Sequence, residues 1–394
     1  MAERLWWTMP LSADMEIHLI MYIMNNGIKL MFRYMAMLLA GLAALVSCGD
    51  PADTDVEVVP DGVLKIFADK TSIAADGADC VTFRVMFGSE DVSTKNTMHI
   101  VKEYNGKTED MAAGANVFST IAAGTYRFRA YLYSGGEHIS ENEIEVTAAK
   151  VEGQKEYVKK ILGEQYTSTG CTSCPSLSAN IKELQKEIPG VLVPVSFHQD
   201  FSSVSDPMAI QATAAFQKYH GFQGLPYFNL NFHKSSGVET FLSTMKAAVE
   251  EELQTNPATC GVAIETSYDE KTGALTVKSK VTSNVAARYK YHIFLLEDGL
   301  DHSQMGADLT YRHDNVVRRM PAPDVTGFNM NGKKNFTPGV EVVAENVLDV
   351  ESGWNLENMR VVVAALISQD GEKTWICVNV NECKAGESVG YQTR

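Results

Sequence analysis

The residues of this sequence best suited to covalent chemistry are Cys171 and Cys174. They stand three positions apart in Gly170-Cys171-Thr172-Ser173-Cys174-Pro175. Such a pair can close a disulfide and reopen it by exchange with another thiol. Val158 to Tyr166 reads as a strand before them. After them Leu177, Ile181, Leu184 and Ile188 recur at one-face spacing, which predicts a helix from Ser176 to Glu187, stopped by Pro189-Gly190. The order strand, CxxC, helix places Cys171 at or just before a helix N-terminus, where unpaired N–H groups and the positive dipole end favour a thiolate. A thiol pKa near ~8.5 falls by one to several units in such a place. Cys174, within the first turn and behind Cys171, is positioned to resolve a mixed disulfide. Pro175 costs little there, since its missing N–H would have no partner anyway.

The same residues admit other chemistry. A CxxC is half of a zinc site, but His198, His220 and His233 show no paired ligand spacing, so no metal is expected. A purely structural disulfide is a second alternative, although closing so short a loop removes little unfolded-state entropy. Exchange would need no cofactor beyond a redox partner protein, with a protein thiol or disulfide as substrate. Two neighbours are candidate supporting residues. His198 is either a base near the thiols or a strand-end histidine in a hydrogen bond. Glu164 is either a buried proton acceptor for Cys174 or a strand-end carboxylate facing water. No Ser/His/Asp order, phosphate loop or paired-carboxylate motif stands out.

The elements that must position this pair fall into blocks. Residues 62–149 carry short alternating strands such as Cys80-Val-Thr-Phe-Arg-Val-Met-Phe and Gly124-Thr-Tyr-Arg-Phe-Arg-Ala-Tyr-Leu-Tyr, separated by turn signals, which predicts a β-sandwich. Residues 155–256 switch to mixed α/β. Their further elements are a strand at 191–197, with Pro194 arguing for an edge or a bulge, helices at 208–219 and 238–253, and a strand at 227–232. Residues 258–394 return to β and predict a second sandwich, with a hairpin turn at Asp370-Gly371 and a long insertion at 297–338. The insertion holds Tyr311, His313, Asn315 and Arg318. These either cap the block containing Cys171 or belong to a segment folded by its own hydrogen bonds.

The N-terminal part bears on location. Lys29 and Arg33 precede the apolar run 35–46, then Ser47 and Cys48. That is a positive n-region, an h-region too short to span a bilayer, and a small-residue cleavage zone. Residues 1–47 therefore read as a signal segment, with Met24 or Met31 a better start than Met1. The acidic residues 48–61 read as a solvated tether, a sorting signal, or both. A net charge of −15 speaks against nucleic acid as a partner. Cys80, Cys260, Cys377 and Cys383 are left without an assigned pairing. Cys377 and Cys383 sit too far apart on one extended strand to join each other.

Several of these segments resemble known families. Leu45-Val46-Ser47-Cys48 resembles the lipobox of bacterial lipoproteins, which implies a lipid on Cys48 and attachment to a membrane. Ala74 to Val85 and Ala123-Gly-Thr-Tyr resemble bacterial immunoglobulin-like domains, modules that act as spacers. The order of elements from 155 to 256, with Gly224-Leu225-Pro226-Tyr227 leading into a strand, is similar to the thioredoxin fold. That similarity implies a cis Leu225–Pro226 bond beside the CxxC, with Leu225 and Pro226 as the substrate-binding positions. Gly170 in place of Trp, Thr172-Ser173 in place of Gly-Pro and the lack of a clear hairpin after Pro226 depart from it. Across residues 155 to 394 the chain resembles the outer membrane protein 28 family of Gram-negative bacteria, through the lipobox, Glu164 to Pro175, Val195-Ser-Phe-His198, Gly-Leu-Pro and Tyr311-Arg-His-Asp-Asn-Val-Val-Arg. The expectation is a multidomain α+β chain: an immunoglobulin-like β-sandwich, a thioredoxin-like α/β domain and a C-terminal β-sandwich. Its function would be an outer-membrane or surface-anchored lipoprotein performing thiol–disulfide exchange, or a non-catalytic adhesion or assembly module with a vestigial CxxC.

Overall fold

The computed structural model describes residues 59–233, 237–307, 310–322, 324–368 and 374–394. The expected signal segment, the expected lipidation position Cys48, most of the expected acidic tether and the expected turn at Asp370-Gly371 lie outside the described residues.

Alternation of apolar and polar residues builds the first module. Its strands are β1 (Leu64–Ala68), β2 (Ser72–Ala74), β3 (Cys80–Phe87), β4 (Glu90–Asp91), β5 (Met98–Tyr104), β6 (Lys107–Asp110), β7 (Val117–Ser119), β8 (Gly124–Tyr133), β9 (Glu137–Ile139) and β10 (Ile144–Ala149). One sheet runs β1-β3-β4 with β7 on β3, the other β2-β10-β8-β5-β6 with β9 on β8. Phe83 and Val85 from the first sheet meet Ile100, Phe128 and Val146 from the second in one core. The period of two along β8 sends Tyr126, Phe128, Ala130 and Leu132 inward and the arginines between them outward.

The rest of the chain is also mainly β. Three α-helices stand among the described residues: α1 (Cys174–Glu187), α2 (Ala212–His220) and α3 (Leu242–Thr255). The strands are β11 (Ile161–Thr167), β12 (Leu192–His198), β13 (Tyr227–Leu230), β14 (Cys260–Asp269), β15 (Ala274–Ser283), β16 (Tyr289–Glu297), β17 (Leu300–His302), β18 (Tyr311–His313), β19 (Val316–Arg319), β20 (Phe328–Lys333), β21 (Glu341–Asp349), β22 (Met359–Ile367), β23 (Ile376–Lys384) and β24 (Ser388–Val389).

Eight of them form a single mixed sheet, β13-β11-β12-β19-β16-β22-β23, with β20 also on β16. This overturns the expected fold class, in which a thioredoxin-like α/β domain and a C-terminal sandwich stand apart, each with its own sheet. The physical reason is β19. Val316 and Val317 lie inside the segment read as an insertion, yet both are fully buried. Ser196 of β12 pairs with Val316 in parallel, and β19 pairs with β16 antiparallel. One short strand thus continues the sheet across residue 257.

A shared core follows. Leu162, Tyr166 and Phe197 from β11 and β12 pack in one cluster with Phe294, Val317, Val362 and Leu366 from the later strands, roofed by Phe216 of α2 and by Phe232. On the other face α1 and α3 cover one end of the sheet through Leu177, Ile181, Met245 and Val249. The sheet β21-β15-β14-β24 covers the other end through Ile264, Val277 and Val281. Burial on both faces explains why β22 reads Met-Arg-Val-Val-Val-Ala-Ala-Leu-Ile without alternation. Pro194 is tolerated because β12 meets β19 only at Ser196, which leaves the proline beside β11 alone.

Candidate functional site

The Cys171 turn sits at the end of β11. Cys171 N–H donates to the Ser168 carbonyl at 3.0 Å, closing the turn. α1 begins at Cys174, with Ser173 as N-cap and no side-chain cap bond. Cys171 therefore precedes the helix by three residues instead of starting it. The two cysteines form a disulfide, and they are 2% and 1% exposed. This answers the expectation of a reachable, anionic Cys171: the sulfur is oxidised and covered. The Leu225–Pro226 bond is cis, as the element order predicted, and both residues are half-buried.

The two supporting candidates go elsewhere. Glu164 is fully buried, and its Oε2 accepts from Tyr166 Oη at 3.0 Å and pairs with His220 Nε2 at 2.9 Å. Its Oε1 accepts from the Phe232 N–H at 2.6 Å. Alternation along β11 puts Leu162 and Tyr166, and hence Glu164, on the α2 face, whereas Gln165 bonds Ser178 of α1 at 2.7 Å. The carboxylate is on the face away from α1, so it is not a proton acceptor beneath Cys174. Burial, reinforced by the charge of Glu164, raises the Tyr166 phenol well above its usual range.

His198 is held by Asp206, with Nδ1 2.8 Å from Oδ2. A carboxylate only accepts, so Nδ1 carries the proton. The same Oδ2 accepts from the Thr169 N–H at 2.8 Å, and Oδ1 accepts from Met208 N–H at 2.8 Å. Burial alone would raise the Asp206 pKa. The bond and charge of His198, with the two backbone bonds, outweigh that and hold it low. His198 thus reaches the Cys171 turn through Asp206 and Thr169, as a positioning residue. Its ring also stands edge-on to His313, centroids 5.3 Å apart. Burial and the neighbouring His198 depress the His313 pKa to about 4. A polar crevice of about 20 Å³ opens among Gln165, Ser178, His198, Gln304 and His313, enough for one or two waters and too small for an organic substrate.

The insertion is not folded by its own bonds alone. Tyr311–His313 does pair with Leu300–His302. Asn315, however, takes a bond from Arg360 at 2.7 Å and gives its carbonyl to Ser196 N–H at 2.7 Å. Arg318 lies over the Trp354 ring and 3.2 Å from Glu297. The segment also supplies a residue that motif reading missed, Gln304, whose side-chain amide reaches the Cys171 turn. His220 and Asp206 were likewise missed as partners. Among the remaining cysteines, Cys260, Cys377 and Cys383 are free, and burial pushes the Cys260 thiol up to about 12. The described residues hold no cluster of three or more His, Cys, Asp or Glu able to bind a metal.

Fold and site together define a mainly β protein with a covered disulfide turn at the end of one strand of a large mixed sheet. Residues 213–389 match the family model described as outer membrane protein Omp28, which supports the Omp28 family for that stretch. The match starts within α2 and ends in β24, so it does not include Cys171 and Cys174. Among solved structures the chain is similar to HBP35 of Porphyromonas gingivalis, at 14% identity and a TM-score of 0.51, over 59% of this chain and 76% of that one. That is a likeness of fold. A protein from Agrobacterium tumefaciens aligns at 12% identity and a TM-score of 0.42, over 59% of this chain and 97% of that one. A domain of the outer membrane lipoprotein Omp28 from Porphyromonas gingivalis aligns at 16% identity and a TM-score of 0.20, over 33% and 89%. No curated protein matches the chain.

Proposed function

We propose that this protein is an outer-membrane lipoprotein, anchored by lipid on Cys48, whose β-rich body works as a non-catalytic adhesion or assembly module. The Omp28 match supports the outer-membrane address. The acidic residues Asp50, Asp53, Asp55 and Glu57 after the lipidated position fit export to the cell surface. The observation that carries the non-catalytic reading is the burial of Cys171 and Cys174 at 2% and 1% exposure. An exchanging disulfide must admit a thiolate in line with one sulfur, and neither is open to one here. In this reading the pair pins the start of α1 to the end of β11.

Thiol–disulfide exchange is the second reading. It is favoured by what covers the turn, a surface segment anchored by polar contacts and not the apolar core. The two readings separate in cells. A Cys174→Ser protein leaves Cys171 unable to resolve a mixed disulfide, so an exchanging enzyme would accumulate covalent partner adducts on non-reducing gels. The module reading expects none, together with loss of membrane association on Cys48→Ala. Trapped partners at Cys171 would overturn it.

A further inference from the structure

The segment Ser303–Ala307 lies directly on the Cys171 turn. Gln304 Nε2 donates toward the carbonyl oxygens of Cys171 at 2.8 Å, Ser168 at 3.0 Å and Thr169 at 3.3 Å. Met305 N–H donates to the Thr169 carbonyl at 2.9 Å. Gly306 is pressed against Thr172: a Cβ there would stand 2.1 Å from the Thr172 oxygen, and its φ of +79° is one that glycine adopts without strain. Gln304 is buried, while Met305 is 47% exposed. Gly170 abuts Phe201 and Val204.

We propose that Gln304 is a latch that sets how fast the Cys171–Cys174 disulfide can be reached by a reductant. The inference rests on the reading that this disulfide is covered, and adds what governs the cover. An amide NH2 has two hydrogens for four carbonyl acceptors here, the fourth being that of Met305 at 3.2 Å; since the other three belong to the turn that carries Cys171, one side chain ties that turn together. No residue from Ser303 to Ala307 belongs to an apolar cluster. Lifting the segment therefore exposes little apolar surface and breaks only a few hydrogen bonds. Such an opening lies at the low-energy end of local unfolding, far below global unfolding. Once it is open, a dithiol thiolate attacks one sulfur, forming a mixed disulfide and releasing the other cysteine as a thiolate that takes a proton. The second thiol of the reagent, as a thiolate, then attacks the reagent's own sulfur in the mixed disulfide and expels the remaining protein cysteine, which takes a proton, leaving a cyclic oxidised reagent and two protein thiols.

The test measures reduction of Cys171–Cys174 in the folded full chain by dithiothreitol, quenched by alkylation and read by mass spectrometry. Gln304→Ala should speed reduction ten-fold or more, with circular dichroism and Tm little changed. Gly306→Val, which wedges the segment off Thr172, should do the same. Equal rates in all three proteins would overturn the latch. The wild type also tests it without any variant. Its disulfide should react at least a hundred-fold more slowly than that of a peptide Gly-Cys-Thr-Ser-Cys-Pro, and reduction at the peptide's rate would sink the proposal. Trapped partners on Cys174→Ser with unequal rates here would instead overturn only the non-catalytic reading.

Discussion

At the scale of single residues, the ionisable groups near the disulfide stabilise the fold and are not aimed at the sulfurs. Glu164 is the clearest case. Its carboxylate satisfies His220, Tyr166 and the Phe232 amide in a site closed to water. Leaving buried hydrogen-bond donors without their acceptor costs about 1–3 kcal/mol, more where a charged group is involved. Glu164→Gln should therefore lower stability by roughly 3 kcal/mol in denaturant titration while leaving the rate of Cys171–Cys174 reduction unchanged. A proton-acceptor role would give the reverse pattern. The sequence showed Glu164 at the end of a strand near a CxxC, which is why it was a candidate. Which face of β11 it occupies depends on where α2 docks, and no local spacing carries that. Gln304 was hidden for a similar reason: it stands more than a hundred positions after Cys171, in a stretch with no motif.

At the scale of elements, the helices were the most legible. Leu177, Ile181 and Leu184 are buried in α1 as their spacing predicts, and Gly221 ends α2 in the left-handed conformation. Most strands were visible through β-branched and aromatic runs. What periodicity could not give is who pairs with whom. Val316-Val317 is too short to announce a strand, and it is the strand that fuses two expected domains. Phe294 of β16 touches Phe197 of β12 edge to face, centroids 5.9 Å apart, across that junction. Phe294→Ala should cost roughly 3–5 kcal/mol. Amide exchange should accelerate in β11 and β12 along with β16 and β22. Two independent sheets would leave β11 and β12 protected as before.

At the scale of the molecule, buried histidines tie stability to pH. Burial depresses His292 to about 4, against a backbone bond to Val325 that favours its proton, and His313 is also near 4. Both bind protons in the unfolded chain near the ordinary histidine pKa of about 6.5. Between those values the unfolded state holds more protons, so acid favours unfolding. Stability should be full above about pH 6.5 and fall as the pH drops toward 4, by roughly 3 kcal/mol for each histidine. The loss should shrink by about half in His292→Phe, as read from urea midpoints across that range. A flat profile between pH 6.5 and 4 would contradict this account.

The joined sheet also dictates an order of events during synthesis and folding. The first module closes on itself, since all its strand partners lie between residues 64 and 149, so it can fold as soon as that stretch has been made. The central sheet has no such freedom. Lys159 donates to the carbonyl of Val378, 219 residues further along the chain, and β11 shares its core with β22 and β23. Contacts so remote in sequence form slowly, because the intervening chain must first be brought together. Until the last strands arrive, the apolar runs of β11 and β12 remain unsheltered. During that interval the incomplete chain is exposed to aggregation.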